Sequence, residues 1–178
     1  MTTFGTGDHI DTHTLETITC GAVSLPDPAV VVHLQFRRFA GCPICHLHLR
    51  EVARRHAEIA DAGIHEVVVF HSDADALRRY APEMPYDVVG DPERVLYREF
   101  GVESALGAVL HPRLLLAGAR GMLGGSSLAG AVGRGEDHLG RPAEFLIGTD
   151  GTVLAAHYGR YADDQWTVDE LLARHRGR

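Results

Sequence analysis

A chain of 178 residues, 45% of them hydrophobic and 23% charged, has enough apolar material for one globular domain with its own core. Its net charge of −7 argues against general nucleic-acid binding, and no apolar run reaches the roughly 18 residues that a membrane-spanning helix requires. The N-terminus, Met-Thr-Thr-Phe-Gly-Thr-Gly-Asp-His, shows no basic and no apolar leader segment, so a cytoplasmic location is expected, and three cysteines are too few for a disulfide scaffold.

In chain order, residues 1–14 are rich in Thr, Gly and His and read as a flexible N-terminal arm. Residues 15–178 read as a single domain. Leu15–Leu25 alternates around Gly21, the pattern of a short hairpin, and Pro26 and Pro28 end it. Val30–Phe36 is nearly continuous β-branched and apolar sequence, as in a strand buried on both faces. Pro43 suits the first position of a helix that runs to about Ala60. Along it Cys45, Leu49, Val52, His56 and Ile59 form one stripe, and Gly63 stops it.

Ile64–Ser72 predicts a second buried strand, Ala74–Tyr80 a short helix, Tyr86–Val89 a brief strand and Pro92–Phe100 a further helix. Leu106–Leu123 has a helical pattern with little charge, and 121–140 is a glycine-rich loop insertion. Phe145–Gly148 and Thr152–His157 flank Thr149-Asp150-Gly151, a hairpin signal. Asp163, Asp164 and Trp166 are expected to form the turn and N-cap before a last helix, Val168 to His175. Strand–helix–strand–helix followed by a hairpin and a helix implies an α/β domain, with a parallel pair in front and antiparallel strands added to one side.

The chemistry-bearing motif is Cys42-Pro43-Ile44-Cys45, between a buried strand and a helix start. A helix N-terminus presents unpaired N–H groups and about half a positive charge, both of which favour thiolate over thiol. The surroundings are basic: His33 to His56 holds five arginines and four histidines against one acid, Glu51. Cys42, in the N-cap region, is expected to be the more exposed and more nucleophilic thiol, and Cys45, on the buried stripe, its resolving partner. Arg37 and Arg38 add positive potential.

The stretch Phe36-Arg-Arg-Phe-Ala-Gly-Cys-Pro-Ile-Cys-His-Leu-His-Leu-Arg50, with Val88–Val102 and Pro142–Gly151 running on to Tyr161–Leu172, resembles the peroxiredoxin-like proteins of the alkyl hydroperoxide reductase/thiol-specific antioxidant family, within the thioredoxin superfamily. The resemblance covers roughly residues 15–175. It implies a thioredoxin-like three-layer α/β/α fold around a central mixed sheet. It also implies a peroxide or disulfide substrate, a thioredoxin-type reductant, no cofactor and no metal, and it is compatible with a homodimer.

In that family's Pro-x-x-x-Thr-x-x-Cys motif, aligning Cys45 with the peroxidatic cysteine puts Cys42 where Thr belongs and Arg38 where Pro belongs. In the thioredoxin register Cys42 attacks and Cys45 resolves. Both registers imply a Cys42–Cys45 disulfide. By the same resemblance, Pro142 takes the place of the superfamily's cis-proline facing the dithiol. Arg141 takes the place of the guanidinium beside the reactive sulfur, one residue further from Phe145 than usual.

Other constellations fall short. Cys42-x-x-Cys45-His46 matches a haem-attachment pattern, but the strand before it fits the thioredoxin topology. Cys42, Cys45 and His48 lack the second cysteine pair of a structural zinc site. Cys20 reads as a small buried residue or a remote resolving thiol, and the glycines of 121–140 do not open a helix after a strand, as a dinucleotide fingerprint requires. Two alternatives to peroxide reduction remain: a protein disulfide reductase, and a redox-inert interaction module on the same fold.

Overall fold

The computed structural model describes residues 3–18, 21–80, 84–102, 141–161 and 163–177. The elements, in order, are β1 (His13–Glu16), β2 (Ala22–Leu25), β3 (Val31–Phe36), α1 (Pro43–Arg54), α2 (His56–Asp61), β4 (Ile64–Phe70), α3 (Ala74–Tyr80), β5 (Asp87–Gly90), α4 (Val95–Glu99), β6 (Ala143–Ile147), β7 (Val153–Tyr158) and α5 (Val168–Arg176). The central sheet has the order β5-β4-β3-β6-β7. β3, β4 and β5 run parallel, whereas β6 pairs antiparallel with β3 and β7 antiparallel with β6. This is the mixed sheet of a thioredoxin-like α/β fold. Among the described residues, no helix is long and apolar enough to cross a membrane.

Two apolar layers cover the sheet. One holds Leu49 and Val52 of α1, Ile59 of α2, Leu77 of α3 and Leu171 and Leu172 of α5 against Val68, Phe70, Val88 and Leu146. The other packs the β1–β2 hairpin and α4 against Val32, Leu34, Phe36, Val67, Val69, Phe145 and Ile147. Alternate strand residues point to opposite faces, so β4 feeds both layers, Val68 and Phe70 the first and Val67 and Val69 the second.

In its elements and termini the fold differs from the sequence reading at three places. The long helix expected to reach Ala60 is two helices meeting at Arg55, whose backbone (φ −104°, ψ 15°) leaves the helical range. There Arg55 pairs with Glu58 and with Asp169 of α5. The last helix is capped by Thr167, not by Asp163 or Asp164: its hydroxyl accepts the Glu170 N–H while the Glu170 carboxylate accepts the Thr167 N–H, a capping box. Residues 3–14 are not a loose arm. Gly7 N–H donates to Val153 O and Ile10 N–H to Gly151 O, Ile10 is buried, and Phe4 lies 5.1 Å from the Phe100 ring. Apolar Phe4 and Ile10 anchor a polar segment whose composition suggested mobility. Cys20, the 106–123 pattern and the 121–140 glycines lie outside the described residues.

Candidate active site

The dithiol is placed by the connection that follows β3. Arg37 N–H bonds Val69 O at 2.8 Å and His71 N–H bonds Arg38 O at 3.3 Å, so the chain still tracks β4 beyond Phe36. It then turns under constraint. Ala40 N–H donates to Ser72 Oγ (2.8 Å), the His46 ring Nε2 meets Ala40 O (2.5 Å), and Cys42 N–H reaches Phe39 O (3.1 Å). Cys42 has extended dihedrals (φ −67°, ψ 112°) and Pro43 opens the helix. Proline's fixed φ suits that position and removes an N–H that would otherwise lack a partner. The Cys42 sulfur does what a Ser or Thr oxygen commonly does at an N-cap, accepting the Cys45 N–H at 3.4 Å.

Both cysteines are free thiols, 0% exposed at Cys42 and 2% at Cys45. The expectation that Cys42 is the exposed one is therefore corrected, because the 37–42 connection is folded inward as tightly as the helix stripe. Burial raises both thiols, but the rest of the environment divides them. Cys42 is pushed well above the ordinary thiol value, by burial first and then by the hydrogen bond and charge of Cys45. Opposing this are only Arg38, whose Nη1 is 3.9 Å from the sulfur, and the long bond from Cys45 N–H. Cys45 resists its burial through the hydrogen bond from Cys42, Arg38's charge and backbone hydrogen bond, and the charge of Arg37, which together bring it down from 9.0 to about 7. Their surroundings thus divide the two sulfurs, Cys45 lying at about 7 and Cys42 well above the ordinary thiol value.

Beneath α1 lies a feature that the sequence reading missed. His33 and Gln35 of β3, Arg37 just beyond it, Glu66 of β4 and Glu144 of β6 are all buried on the α1 side of the sheet. His33 Nδ1 donates to Glu66 at 3.0 Å and Gln35 donates to the same carboxylate. Arg37 donates to Gln35, to Gln165 and, at 2.6 Å, to Glu144 Oε1. Glu144 Oε2 accepts the Trp166 backbone N–H at 2.5 Å, and the Trp166 ring stacks on His33 with centroids 5.8 Å apart. His48 of α1 brings Nε2 to 3.9 Å from Glu144 Oε1. Burial first, then Arg37 and His33, hold His48 well below the ordinary histidine range, so it is neutral. The available signal was the two-residue alternation of His33, Gln35 and Arg37, a polar face hidden in a run read as apolar on both sides.

The remaining predicted residues sit elsewhere. The cis peptide bond among the described residues is Leu25–Pro26, and Arg141–Pro142 is trans, contrary to expectation. Pro142 is buried just before β6, where its carbonyl accepts the Gly159 N–H at 2.8 Å. A Cβ at Gly159 would come within 2.7 Å of the Pro142 ring, so only glycine permits this approach. Arg141 is exposed and, with Pro142, Tyr158 and Gly159, lines a cavity of about 380 Å³ that neither sulfur lines. The guanidinium beside the sulfurs is Arg38's, which also lies over the Phe39 ring at 5.6 Å. Among the described residues, no group of three His, Cys, Asp or Glu side chains is arranged to hold a metal ion.

Known proteins resemble this arrangement at two levels. In solved structures the likeness is to peroxidoxin BcpB from Mycobacterium tuberculosis, 19% identical, covering 97% of each chain at a TM-score of 0.70. It extends to a cysteine-to-serine mutant of PrxQ from Xylella fastidiosa, 12% identical, covering 99% of this chain and 98% of that one at a TM-score of 0.71. A putative thiol:disulfide interchange protein DsbE from Chlorobium tepidum is 22% identical, covering 96% and 97% at a TM-score of 0.60. At these identities the likeness concerns the fold. No curated protein matches the chain. The AhpC/TSA antioxidant enzyme family matches residues 51–161, a span that begins after the dithiol and takes in most of the sheet. With the thioredoxin-like sheet and this match over more than half its length, the chain belongs to the AhpC/TSA antioxidant enzyme family, as a peroxiredoxin-like member.

Proposed function

We propose that this protein is a thiol oxidoreductase that reduces peroxides through Cys42 and Cys45 and is restored by a thioredoxin-type dithiol. The observation that carries this reading is the geometry of the pair: Cys42 caps the helix that carries Cys45, its sulfur accepts the Cys45 N–H at 3.4 Å, and the Arg38 guanidinium lies 3.9 Å away, an environment that lowers Cys45 to about 7 and raises Cys42. A peroxidase thiol must be a thiolate at neutral pH, and its partner must still hold the proton that later leaves as water.

In this cycle the Cys45 thiolate attacks one peroxide oxygen. The O–O bond breaks, the departing oxygen takes a proton and leaves as water or alcohol, and Cys45 becomes a sulfenic acid. The Cys42 sulfur then attacks the Cys45 sulfur. The S–O bond breaks, the hydroxyl and the Cys42 proton leave as water, and the Cys42–Cys45 disulfide forms. An external dithiol attacks that disulfide, passes through a mixed disulfide, and departs oxidised with both cysteines reduced.

This assigns the attack to Cys45, in place of the N-cap Cys42 favoured by the sequence reading. Neither sulfur has an advantage in exposure, and while the Arg38 charge acts on both, that of Arg37 is added at the first-turn thiol. The likeness to a thiol:disulfide interchange protein, with a cysteine where peroxiredoxins carry Thr, supports a second reading as a disulfide reductase.

Stopped-flow oxidation of the reduced chain by hydrogen peroxide and by an organic hydroperoxide, with each cysteine changed to serine, separates the readings. Cys42→Ser is expected to react once and hold a trappable sulfenic acid at Cys45, whereas Cys45→Ser is inert. Slow, uncatalysed oxidation of the native chain, together with thiol-dependent reduction of a protein disulfide, would replace the first reading with the second.

A further inference from the structure

Helix α1 meets the sheet through apolar Leu49 and Val52, yet beneath its first turns the strands present a carboxylate and a guanidinium. Burying such a pair is frequently neutral or unfavourable compared with apolar residues of similar volume, so packing does not require it. Glu144 is the hub. Its Oε1 lies 2.6 Å from Arg37 Nη2, 3.9 Å from His48 Nε2 and 4.0 Å from His33 Nε2, and its Oε2 takes the Trp166 backbone N–H. His48 stands three residues after Cys45, on the same helix face, so the Arg37–Glu144 pair lies under the turn that carries Cys45. Arg37 is fully buried and fixed by Gln35 and Gln165, while its backbone carbonyl accepts the Tyr97 hydroxyl. In such a dry setting a fixed charge acts strongly on a nearby sulfur.

We propose that Arg37 and Glu144 are a tuning pair for the dithiol: Arg37 supplies positive potential to Cys45, and Glu144 is the positioning residue that holds the guanidinium and sets how much of its charge the sulfur feels. This rests on the reading of Cys42 and Cys45 as a working dithiol, but not on peroxide as its substrate. The other groups facing the dithiol and the pair are Arg38 and Cys42 of the connection, Tyr97 of α4, His48 of α1, His33 of β3, Glu66 of β4 and Tyr86 just before β5. All stay in place in the variants below.

The test is the pH profile of Cys45 alkylation by iodoacetamide in the reduced full chain, localised by peptide mass spectrometry, for native protein, Glu144→Gln, Arg37→Met and the double variant. Glutamine keeps the shape of Glu144 and an acceptor for Arg37 but removes the opposing charge, so its midpoint is expected to fall by about one pH unit. Arg37→Met is expected to raise the midpoint by a similar amount, and the double variant to return close to the native value. Shifts of opposite sign distinguish tuning from loosened packing. Unmoved midpoints, or both single variants moving in the same direction, overturn the proposal. If Arg37→Met fails to fold by circular dichroism, Glu144→Gln decides alone, and an unchanged midpoint overturns it. Opposite shifts in a protein that ignores peroxide would retain the tuning pair and reject only the peroxidase reading.

Discussion

The two faces of the central sheet come from the same strands and yet are built on different physics. On the hairpin side, β3, β4 and β6 contribute Val32, Leu34, Phe36, Val67, Val69, Phe145 and Ile147, all buried. Phe100 and Phe145 meet edge to face at 5.2 Å, as do Phe36 and Phe145 at 5.9 Å. On the α1 side the alternate residues of those strands are mixed: Val68, Phe70 and Leu146 pack under the helices, while His33, Gln35, Glu66 and Glu144, with Arg37 just beyond β3, are buried just as deeply. The first face stabilises through area and dispersion, terms that do not depend on pH. The second adds to its apolar layer a set of charges whose net effect on stability is near break-even but whose potential reaches the sulfurs. Both faces hold the fold together, and one of them also buries charges beneath the helix that carries the dithiol.

The largest effect should come from breaking the apolar face. Phe145 is fully buried among Phe36, Phe100 and Tyr158, so Phe145→Ala should cost about 3–5 kcal/mol in denaturant unfolding. The titration of Cys45 in whatever remains folded should not move.

A double-mutant cycle sharpens the contrast on the polar face. Arg37→Met leaves the Glu144 carboxylate buried without its cation, so Arg37→Met and Glu144→Gln should each destabilise more than their combination implies. The coupling energy between them should be about 1–3 kcal/mol. Strict additivity in denaturant titrations would mean that the two side chains do not act as a pair.

The dithiol sets the next scale. Because the folded value of Cys45 lies below 9.0, at about 7, the thiolate fraction falls roughly tenfold per pH unit below neutrality and levels off above it. The alkylation rate at Cys45 should follow that curve, while Cys42, raised by burial, should react appreciably only in alkali or after unfolding. A single midpoint near 9 for both would remove the electrostatic division of the pair.

The smallest effect belongs to the rim. Asp169 is exposed where it meets Arg55 at the junction of α1 and α2. Asp169→Asn should therefore leave the melting temperature and the Cys45 titration unchanged within error, since salt screens exposed pairs.

Much of the architecture followed from local pattern: the β-branched runs at Val30–Phe36 and Ile64–Ser72, proline at the head of α1, the turn at Asp150-Gly151 and the Cys42–Cys45 spacing at a strand-to-helix junction. Such features are legible because they depend on residues a few positions apart. Tertiary structure alone decided the rest. Arg37 meets Glu144 across 107 positions and His33 meets Glu66 across 33, so the polar face exists only once β3 lies between β4 and β6. The burial of Cys42 was illegible in the sequence for the same reason. Position in a helix suggested an exposed Cys42, but burial and the Arg37 and Arg38 charges act through space, and these depend on the packed sheet beneath α1.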